Sequence, residues 1–199
     1  MRTAAAAALS LENLFPRLRR ARLRNGPLLI LLPDPAARTV AVQAWLPAGT
    51  LSEEAGGEGL AHFLEHMIFK GSRRLGLGEL AARAEEAGGD INAYTLNEAT
   101  YYHLVCLPGA AEKCLDALIE ALWWPRLDEA EIARERRVIL EEIRRAEDQP
   151  EQCLQQELYR RAYGAAHPFG RPILGTRRSV SRLGRGALRR YHRRCYPPA

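Results

Sequence analysis

Two histidines and a glutamate lie within five residues of one another, in the segment His62-Phe63-Leu64-Glu65-His66. On a helix, residues four apart are separated by about 40° around the axis, so His62 and His66 can direct both imidazoles at one ion. Glu65 is angularly offset from them, so its carboxylate can reach a metal-bound water without becoming a ligand. This pattern is typical of a catalytic zinc site with a general base. Because H-x-x-E-H also arises by chance on surface helices, a third ligand has to be found.

Catalytic zinc usually takes three protein ligands and one water. The segment from Asp128 to Asp148 predicts a helix in which four apolar residues share one stripe: Ile132, Ile139, Ile143 and Ala146. Glu135 and Glu142 fall on the edge of that stripe, whereas Glu141 points to solvent. A carboxylate beside a buried stripe is costly unless it is paired, hydrogen-bonded or metal-bound, so we interpret Glu142 as the third ligand. Glu135 is either a supporting group near the metal or substrate, or the partner of an arginine in an ion pair.

The surrounding pattern predicts strands first and helices afterwards. Strands are predicted over 17–24, 28–32, 39–46, 91–94 and 100–107, with Asn25-Gly26-Pro27 as the turn of a first hairpin. Helices are predicted over 60–70, 77–87 and most of 110–196, with Asp128 and Glu131 as a capping pair. This order favours an α+β fold, in which helices pack on one face of a largely antiparallel sheet.

Composition excludes several classes of protein. The chain has 199 residues, of which 47% are hydrophobic and 27% charged, so it can bury a core and is neither a disordered tail nor a disulfide miniprotein. No apolar run approaches the roughly 20 residues that cross a bilayer, so no membrane span is expected. Four cysteines without a C-x-x-C pair favour reduced thiols.

The net charge is +5, and the stretch from Arg160 to Arg194 contains eleven arginines and no carboxylate. A nucleic-acid surface is one interpretation of such a stretch. No nucleic-acid motif accompanies the charge, however, so we favour a solvated helix surface and expect no nucleic-acid partner.

These residues resemble the inverzincins, the pitrilysin-type zinc metallopeptidases that carry H-x-x-E-H. That family includes insulin-degrading enzyme and the mitochondrial processing peptidase. The resemblance covers the chain from about Asn25 to Pro198. Four segments carry it: His62 to Gly71, Asn92 to Thr95 with Glu98, Thr100 and Tyr102 after it, Glu135 to Glu142, and Gly170 to Thr176.

The resemblance implies a zinc-dependent endopeptidase with one zinc ion per catalytic domain. His62, His66 and the second glutamate of the Glu141-Glu142 pair would hold the ion, in agreement with the helix-face argument for Glu142. Glu65 would be the general base that takes the proton of a metal-activated water and passes it to the leaving amine.

The resemblance also assigns roles around the metal. Glu135, seven residues before the ligand, would support activity. The Asn-Ala-aromatic-Thr segment would be an edge strand that holds extended peptide, with Asn92 and Ala93 contacting the substrate backbone. Without the resemblance, an ordinary turn role is the better interpretation of Asn92.

The same family leads us to expect a partner. Its members pair the zinc-bearing half with a second, similarly folded half, and here the chain ends where the family continues into another strand and helix. We therefore expect a homologous half in a homodimer or heterodimer. The alternatives to an active peptidase are a non-catalytic interaction subunit of the same fold and an inactive fragment that needs a partner half.

Residues 16–199 are expected to form the catalytic domain, which the resemblance leaves short at its C-terminus. Residues 1–15 are expected to be an N-terminal extension, whose order the sequence leaves open. Because residues 1–11 are a short and weakly apolar match to a signal peptide, we expect a cytoplasmic protein, with a periplasmic or organellar one as the alternative. Peptide specificity does not follow from the sequence.

Overall fold

The computed structural model describes residues 15–24 and 26–196. Within these ranges, the residues up to Arg38 form one compact unit and those from Thr39 onward form another. Apart from Phe15, the expected N-terminal extension lies outside the described residues, as does Asn25 of the predicted turn. The domain limits stay a prediction. Within the described ranges, no helix has the length and apolar character that crossing a bilayer requires.

The first unit contains the predicted hairpin. Strand β1 (Arg19–Arg22) pairs antiparallel with β2 (Leu28–Leu31), so that Arg19 lies opposite Leu31. Both strands are shorter than predicted, and all of their residues are exposed. The hairpin forms its own two-stranded sheet.

The second unit contains a three-stranded antiparallel sheet. Its strands are β3 (Val40–Leu46), β4 (Asp90–Thr95) and β5 (Thr100–Cys106), in the order β3-β5-β4. Alternate residues of β5 are buried, from Thr100 to Cys106, because successive side chains in a strand point to opposite faces. Among the described strands, β4 pairs only with β5 and therefore lies at an edge.

The described part of the second unit also contains seven α-helices. They are α1 (Leu60–Ile68), α2 (Glu79–Glu86), α3 (Ala111–Trp123), α4 (Glu129–Glu147), α5 (Pro150–Tyr163), α6 (Arg177–Val180) and α7 (Arg185–Cys195). Helix α1 packs against β4, α4 and α7, and its apolar residues belong to one core with the buried face of the sheet. The predicted α+β class is confirmed, because an antiparallel sheet carries helices against its buried face.

The predicted capping pair of α4 is wrong. Asp128 does occupy the N-cap position, but its side chain accepts no hydrogen bond from the helix. Its carboxylate pairs instead with Arg126 at 3.0 Å, and Glu131 pairs with Arg134. Each of these two acids has an arginine within three residues. Because the carboxylates form ion pairs with the arginines, they do not bond to the backbone N–H groups at the start of the helix.

Helix α5 differs from the helices around it because none of its 14 residues is buried. Leu154 is 72% exposed and Leu158 is 62% exposed. The helix also carries Cys153, the only exposed thiol among the four cysteines; all four are free, and the other three are buried.

Candidate metal centre

Helix α1 presents the two histidines and Glu65 on one polar face. Its apolar residues are buried, including Phe63, Leu64 and Met67, whereas the three polar side chains are half-buried. The helix begins after Gly59, whose φ of +90° lies in the left-handed region. A Cβ at Gly59 would meet the carbonyl oxygen of Leu174 at 2.8 Å. Glycine therefore lets the segment before α1 pass close to the 174–175 backbone, which fixes where the helix begins.

Three donor atoms from two helices converge beside this face. The Nε2 atoms of His62 and His66 lie 3.3 Å apart. Oε2 of Glu142, on α4, lies 3.8 Å from Nε2 of His62 and 3.6 Å from Nε2 of His66. Ligand atoms held about 2.0–2.1 Å from a tetrahedral Zn²⁺ are separated from one another by about 3.3 Å. The three atoms thus fit a zinc ion in both spacing and chemical type.

The outward nitrogens of the two histidines differ in their partners. Nδ1 of His66 lies 3.1 Å from Oε2 of Glu135, and the other oxygen of Glu135 is 2.8 Å from Nζ of Lys70. A carboxylate on the far nitrogen of a ligating histidine fixes the ring and its tautomer. Nδ1 of His62 is buried and has no hydrogen-bond partner among the described residues. Burial, together with the charge of His66, lowers the pKa of His62 to about 3, so its ring is neutral, as a ligand must be.

Glu65 is held beside the donor atoms by a hydroxyl group of the sheet. The hydroxyl of Thr95, on β4, donates to Oε2 of Glu65 at 2.5 Å. Oγ1 of Thr95 lies 3.3 Å from Oγ1 of Thr100, which donates to the carbonyl oxygen of Ala48 at 2.7 Å. Burial raises the pKa of Glu65 above its usual value, although the bond from Thr95 opposes the shift. The carboxylate is therefore oriented by the sheet as well as by its own helix.

The two adjacent glutamates of α4, Glu141 and Glu142, point in different directions. Glu142 faces His62 and His66, whereas Glu141 pairs with Arg144 at 2.8 Å on the outer side of α4. Within the described residues, His62, His66 and Glu142 form the group of side chains close enough to share a metal ion. Glu135 is buried against the centre, and its ion-pair partner is Lys70 rather than one of the arginines.

Two residues that sequence reasoning did not assign also belong to the centre. Thr95 lies in the Asn-Ala-aromatic-Thr segment, and Lys70 lies four residues after His66, but neither position shows its partner in the sequence. The i to i+4 spacing was the available signal for Lys70. No local pattern links Thr95 to Glu65, because the contact spans 30 residues.

Asn92 and Ala93 lie on the edge strand β4, opposite His103 and Tyr102 of β5. Oδ1 of Asn92 accepts a hydrogen bond from the backbone N–H of Ala93 at 2.8 Å. A peptide carbonyl that paired with the N–H of Ala93 would have to replace this side chain. Asn92 is exposed, whereas the side chain of Ala93 is buried.

An H-x-x-E-H helix, an edge strand and a carboxylate helix around one set of zinc-type donors define the class of inverted-motif metallopeptidase domains. The chain belongs to peptidase family M16, the insulinase family, whose sequence profile matches residues 28–177. Hydrolase, metalloprotease and zinc are therefore the terms that describe its family.

Relatives by sequence carry the same description. The chain is 34% identical over 181 residues to a protein of Bacillus subtilis named an uncharacterized zinc protease, covering 91% of this chain and 44% of that protein. It is 36% identical over 176 residues to a probable mitochondrial-processing peptidase subunit beta of Arabidopsis thaliana, covering 88% of this chain and 33% of that protein. The chain thus spans less than half the length of these relatives.

Solved structures share the fold. A protease from Helicobacter pylori superposes with a TM-score of 0.83 at 26% identity, over 88% of this chain and 42% of that one. The periplasmic protease PqqL of Escherichia coli gives 0.80 at 25% identity, over 90% of this chain and 21% of that one. A domain from Pseudomonas fluorescens described as inactive gives 0.80 at 19% identity, over 88% and 42%. The fold is therefore that of one M16 half-domain, and the fold by itself does not establish activity.

The names of these proteins include a mitochondrial and a periplasmic location. They do not assign one compartment to the family, and the expected cytoplasmic location stays a prediction.

Proposed function

We propose that this chain is the zinc-binding, catalytic half of an endopeptidase that hydrolyses extended peptides. The observation that carries the proposal is the convergence of His62, His66 and Glu142, with Glu65 half-buried on the same helix face. One zinc ion would be held by these three side chains. When bound, Zn²⁺ supplies Lewis-acid chemistry, which polarises the scissile carbonyl and makes a water more acidic.

Glu65 would accept the proton of the attacking water and deliver it to the leaving amine. Its Oε2 accepts a hydrogen bond from the hydroxyl of Thr95, which orients the carboxylate for this exchange. Glu135 would keep Nδ1 of His66 protonated, so that Nε2 remains the ligating atom. Lys70 would hold the buried carboxylate of Glu135 in place through its contact with the other oxygen.

The edge strand β4 would bind the substrate. Thr95 ends this strand and touches Glu65, so a peptide added along β4 would run past the donor atoms. Strand addition recognises backbone through main-chain hydrogen bonds, and we propose that Asn92 and Ala93 take part. The side-chain amide of Asn92, whose Oδ1 accepts a hydrogen bond from the backbone N–H of Ala93, would rotate to bond the substrate peptide.

A second half is part of the proposal, because the relatives are more than twice as long as the matched region. We propose a homologous half-domain that closes over the substrate, as a second copy or as a separate polypeptide.

The test is zinc content of the purified chain by elemental analysis, beside cleavage of a quenched fluorescent peptide with and without chelator. We expect about one zinc per chain, and cleavage that the chelator abolishes. Glu65→Gln should retain the zinc and lower the cleavage rate by at least about 100-fold, because it removes only the base.

Each outcome has a separate meaning. Zinc binding without cleavage would indicate that activity needs the second half. The assay would then be repeated with the C-terminal half of a full-length relative added. A zinc-loaded chain that stays inactive with that half would favour the non-catalytic interaction subunit. A chain that binds no zinc would overturn the proposal.

A further inference from the structure

A cavity of about 890 Å³ lies between the C-terminal part of α4, helix α5 and the segment 169–178. Its wall includes Ile143 and Asn97. Ile143 follows the proposed ligand Glu142 directly, and Asn97 lies two residues after Thr95. Because consecutive Cα atoms are only 3.8 Å apart, the backbone of the cavity wall continues at these two points into the backbone that carries Glu142 and Thr95. A peptide bound at the candidate metal centre would therefore have side chains within reach of the cavity.

The carboxylates that line the cavity already have cationic partners. Glu147 pairs with Arg177 at 2.5 Å. Glu157 pairs with Arg160 at 2.7 Å, and its bonds to Arg160 and Arg161 lower its pKa to about 2. Both acids are engaged, so a lysine or arginine of a substrate would have to displace an existing partner.

Two further guanidinium groups line the cavity and form no ion pair with a described carboxylate. Arg171 donates to the carbonyl oxygen of Ala166 at 2.7 Å. Arg178 is exposed and has no hydrogen bond or ion pair with the described part of the chain. An incoming carboxylate would find a free guanidinium, which binds carboxylates with two parallel hydrogen bonds.

The neutral polar groups of the cavity do not offset this charge. Gln152, Gln155 and Gln156 line the α5 side, and Nε2 of Gln156 donates to the carbonyl oxygen of Gly170 at 3.1 Å. Amide side chains of this kind add hydrogen bonds without adding charge. The wall of the cavity is more apolar than polar, and its charged side chains leave an excess of two positive charges.

We infer that this cavity selects substrates that carry acidic side chains beside the scissile bond. The inference rests on the proposed peptidase function, which supplies the peptide, but it concerns only the charge that the cavity accepts. Arg178 is the specificity-determining residue, because, of the arginines in the cavity wall, its guanidinium is the one without a hydrogen-bond or ion-pair partner among the described residues.

Binding measurements test the inference without requiring turnover. The Glu65→Gln chain is loaded with zinc and titrated against blocked, fluorescein-labelled peptides that are identical except for glutamate, glutamine or lysine in one flank. We expect the glutamate peptide to bind at least about fivefold tighter than the lysine peptide by anisotropy. The ratio should fall as salt is raised, because the groups are partly exposed.

Two substitutions of Arg178 and a matched control show whether this residue causes the difference in affinity between the glutamate and lysine peptides. Arg178→Gln should bring the ratio close to one, and Arg178→Glu should reverse it. Arg189→Gln removes the same charge from the exposed side of α7, outside the cavity lining, and should leave the ratio unchanged. Circular dichroism confirms that each variant is folded.

The outcomes separate this inference from the proposed function. Cleavage by the unsubstituted chain with equal affinity for all three peptides would overturn the acidic preference alone. If the chain binds no zinc and cleaves no peptide but still prefers glutamate through Arg178, the charge selection by the cavity would stand and the proposed peptidase function would be overturned. A preference that Arg189→Gln removes equally, or no binding of any peptide, would overturn the inference.

Discussion

The donor atoms of His62, His66 and Glu142 lie close to the spacing that zinc requires. Two of them come from one helix, where the i to i+4 relation sets their distance. The third comes from α4, whose buried isoleucines hold it against α1. The affinity for the proposed zinc ion should therefore depend on each of these three side chains.

Glu142→Ala should abolish stoichiometric zinc binding, because two histidines alone leave a catalytic site one ligand short. Glu141→Ala is the matched control, since it removes the neighbouring carboxylate that pairs with Arg144. Its zinc content should stay at about one per chain. Elemental analysis after dialysis measures both, and the opposite pattern would show that the assignment of the two glutamates is reversed.

Glu53 provides a pH-dependent contribution to stability. It is buried, one oxygen accepts the N–H of Ala61 at 2.9 Å, and the other has no hydrogen-bond partner among the described residues. Burial raises its pKa from 4.5 to about 7. The folded state then binds more protons than the unfolded state between these values, so stability should fall as the pH rises through this range.

Glu53→Gln should remove that dependence and keep the acceptor for Ala61. Relative to this variant, the free energy of unfolding of the natural chain should fall by about 3 kcal/mol from pH 4.5 to pH 8. Urea titrations at several pH values measure it. The exposed Glu86→Gln is the control and should follow the natural chain; parallel curves for Glu53→Gln and the natural chain would refute the assignment.

The sequence indicated that His62, His66 and Glu142 come together, because spacing along a helix and place on a helix face are local properties. It left two interpretations for Glu135, and the partner proved to be Lys70 together with His66. It did not predict that Thr95 orients Glu65, since this contact depends on how β4 lies beside α1. Contacts between elements follow from packing, which a single sequence does not display.

At the scale of elements, the beginning of α1 controls the position of both histidines. Gly59 and Gly78 both precede helices with positive φ, of +90° and +74°. They differ in space: a Cβ at Gly59 would meet the backbone at Leu174, whereas a Cβ at Gly78 would have no neighbour within 4 Å. The two glycines therefore separate backbone strain from close contact.

Gly78→Ala should cost about 1 kcal/mol through the left-handed conformation alone. Gly59→Ala should cost at least about 1 kcal/mol more, because the backbone at 174 must also shift. Urea unfolding of both variants measures the difference, and zinc content shows whether the metal centre moves with the helix. Equal losses would mean that the 174–175 segment yields easily.

Strands and helices were predicted well where alternation or helical periodicity extended over several residues, as in β3, β5 and α4. The ends were less predictable, because capping depends on competition between nearby groups. Asp128 illustrates this point: a good N-cap residue type pairs with Arg126 instead. The separate sheet of the β1–β2 hairpin was not predicted, since pairing between strands is not a local property.

At the scale of the whole molecule, a metal held by α1 and α4 would connect two elements that are far apart in the sequence. Zinc that binds only the folded chain should stabilise it by about 2.7 kcal/mol at 100 times its dissociation constant. Thermal unfolding should shift upward by several degrees with added zinc and return with chelator. Glu142→Ala should show no shift; an equal shift in this variant would place the ion elsewhere.

The exposure of Cys153, beside three buried cysteines, offers a spectroscopic handle that needs no engineering. A maleimide dye should react at this position far faster than at Cys106, Cys114 or Cys195 and would sit on the cavity wall. Its emission would then report changes in the hydration of the cavity. The natural chain could thus be labelled at one site and followed by fluorescence while a peptide is added.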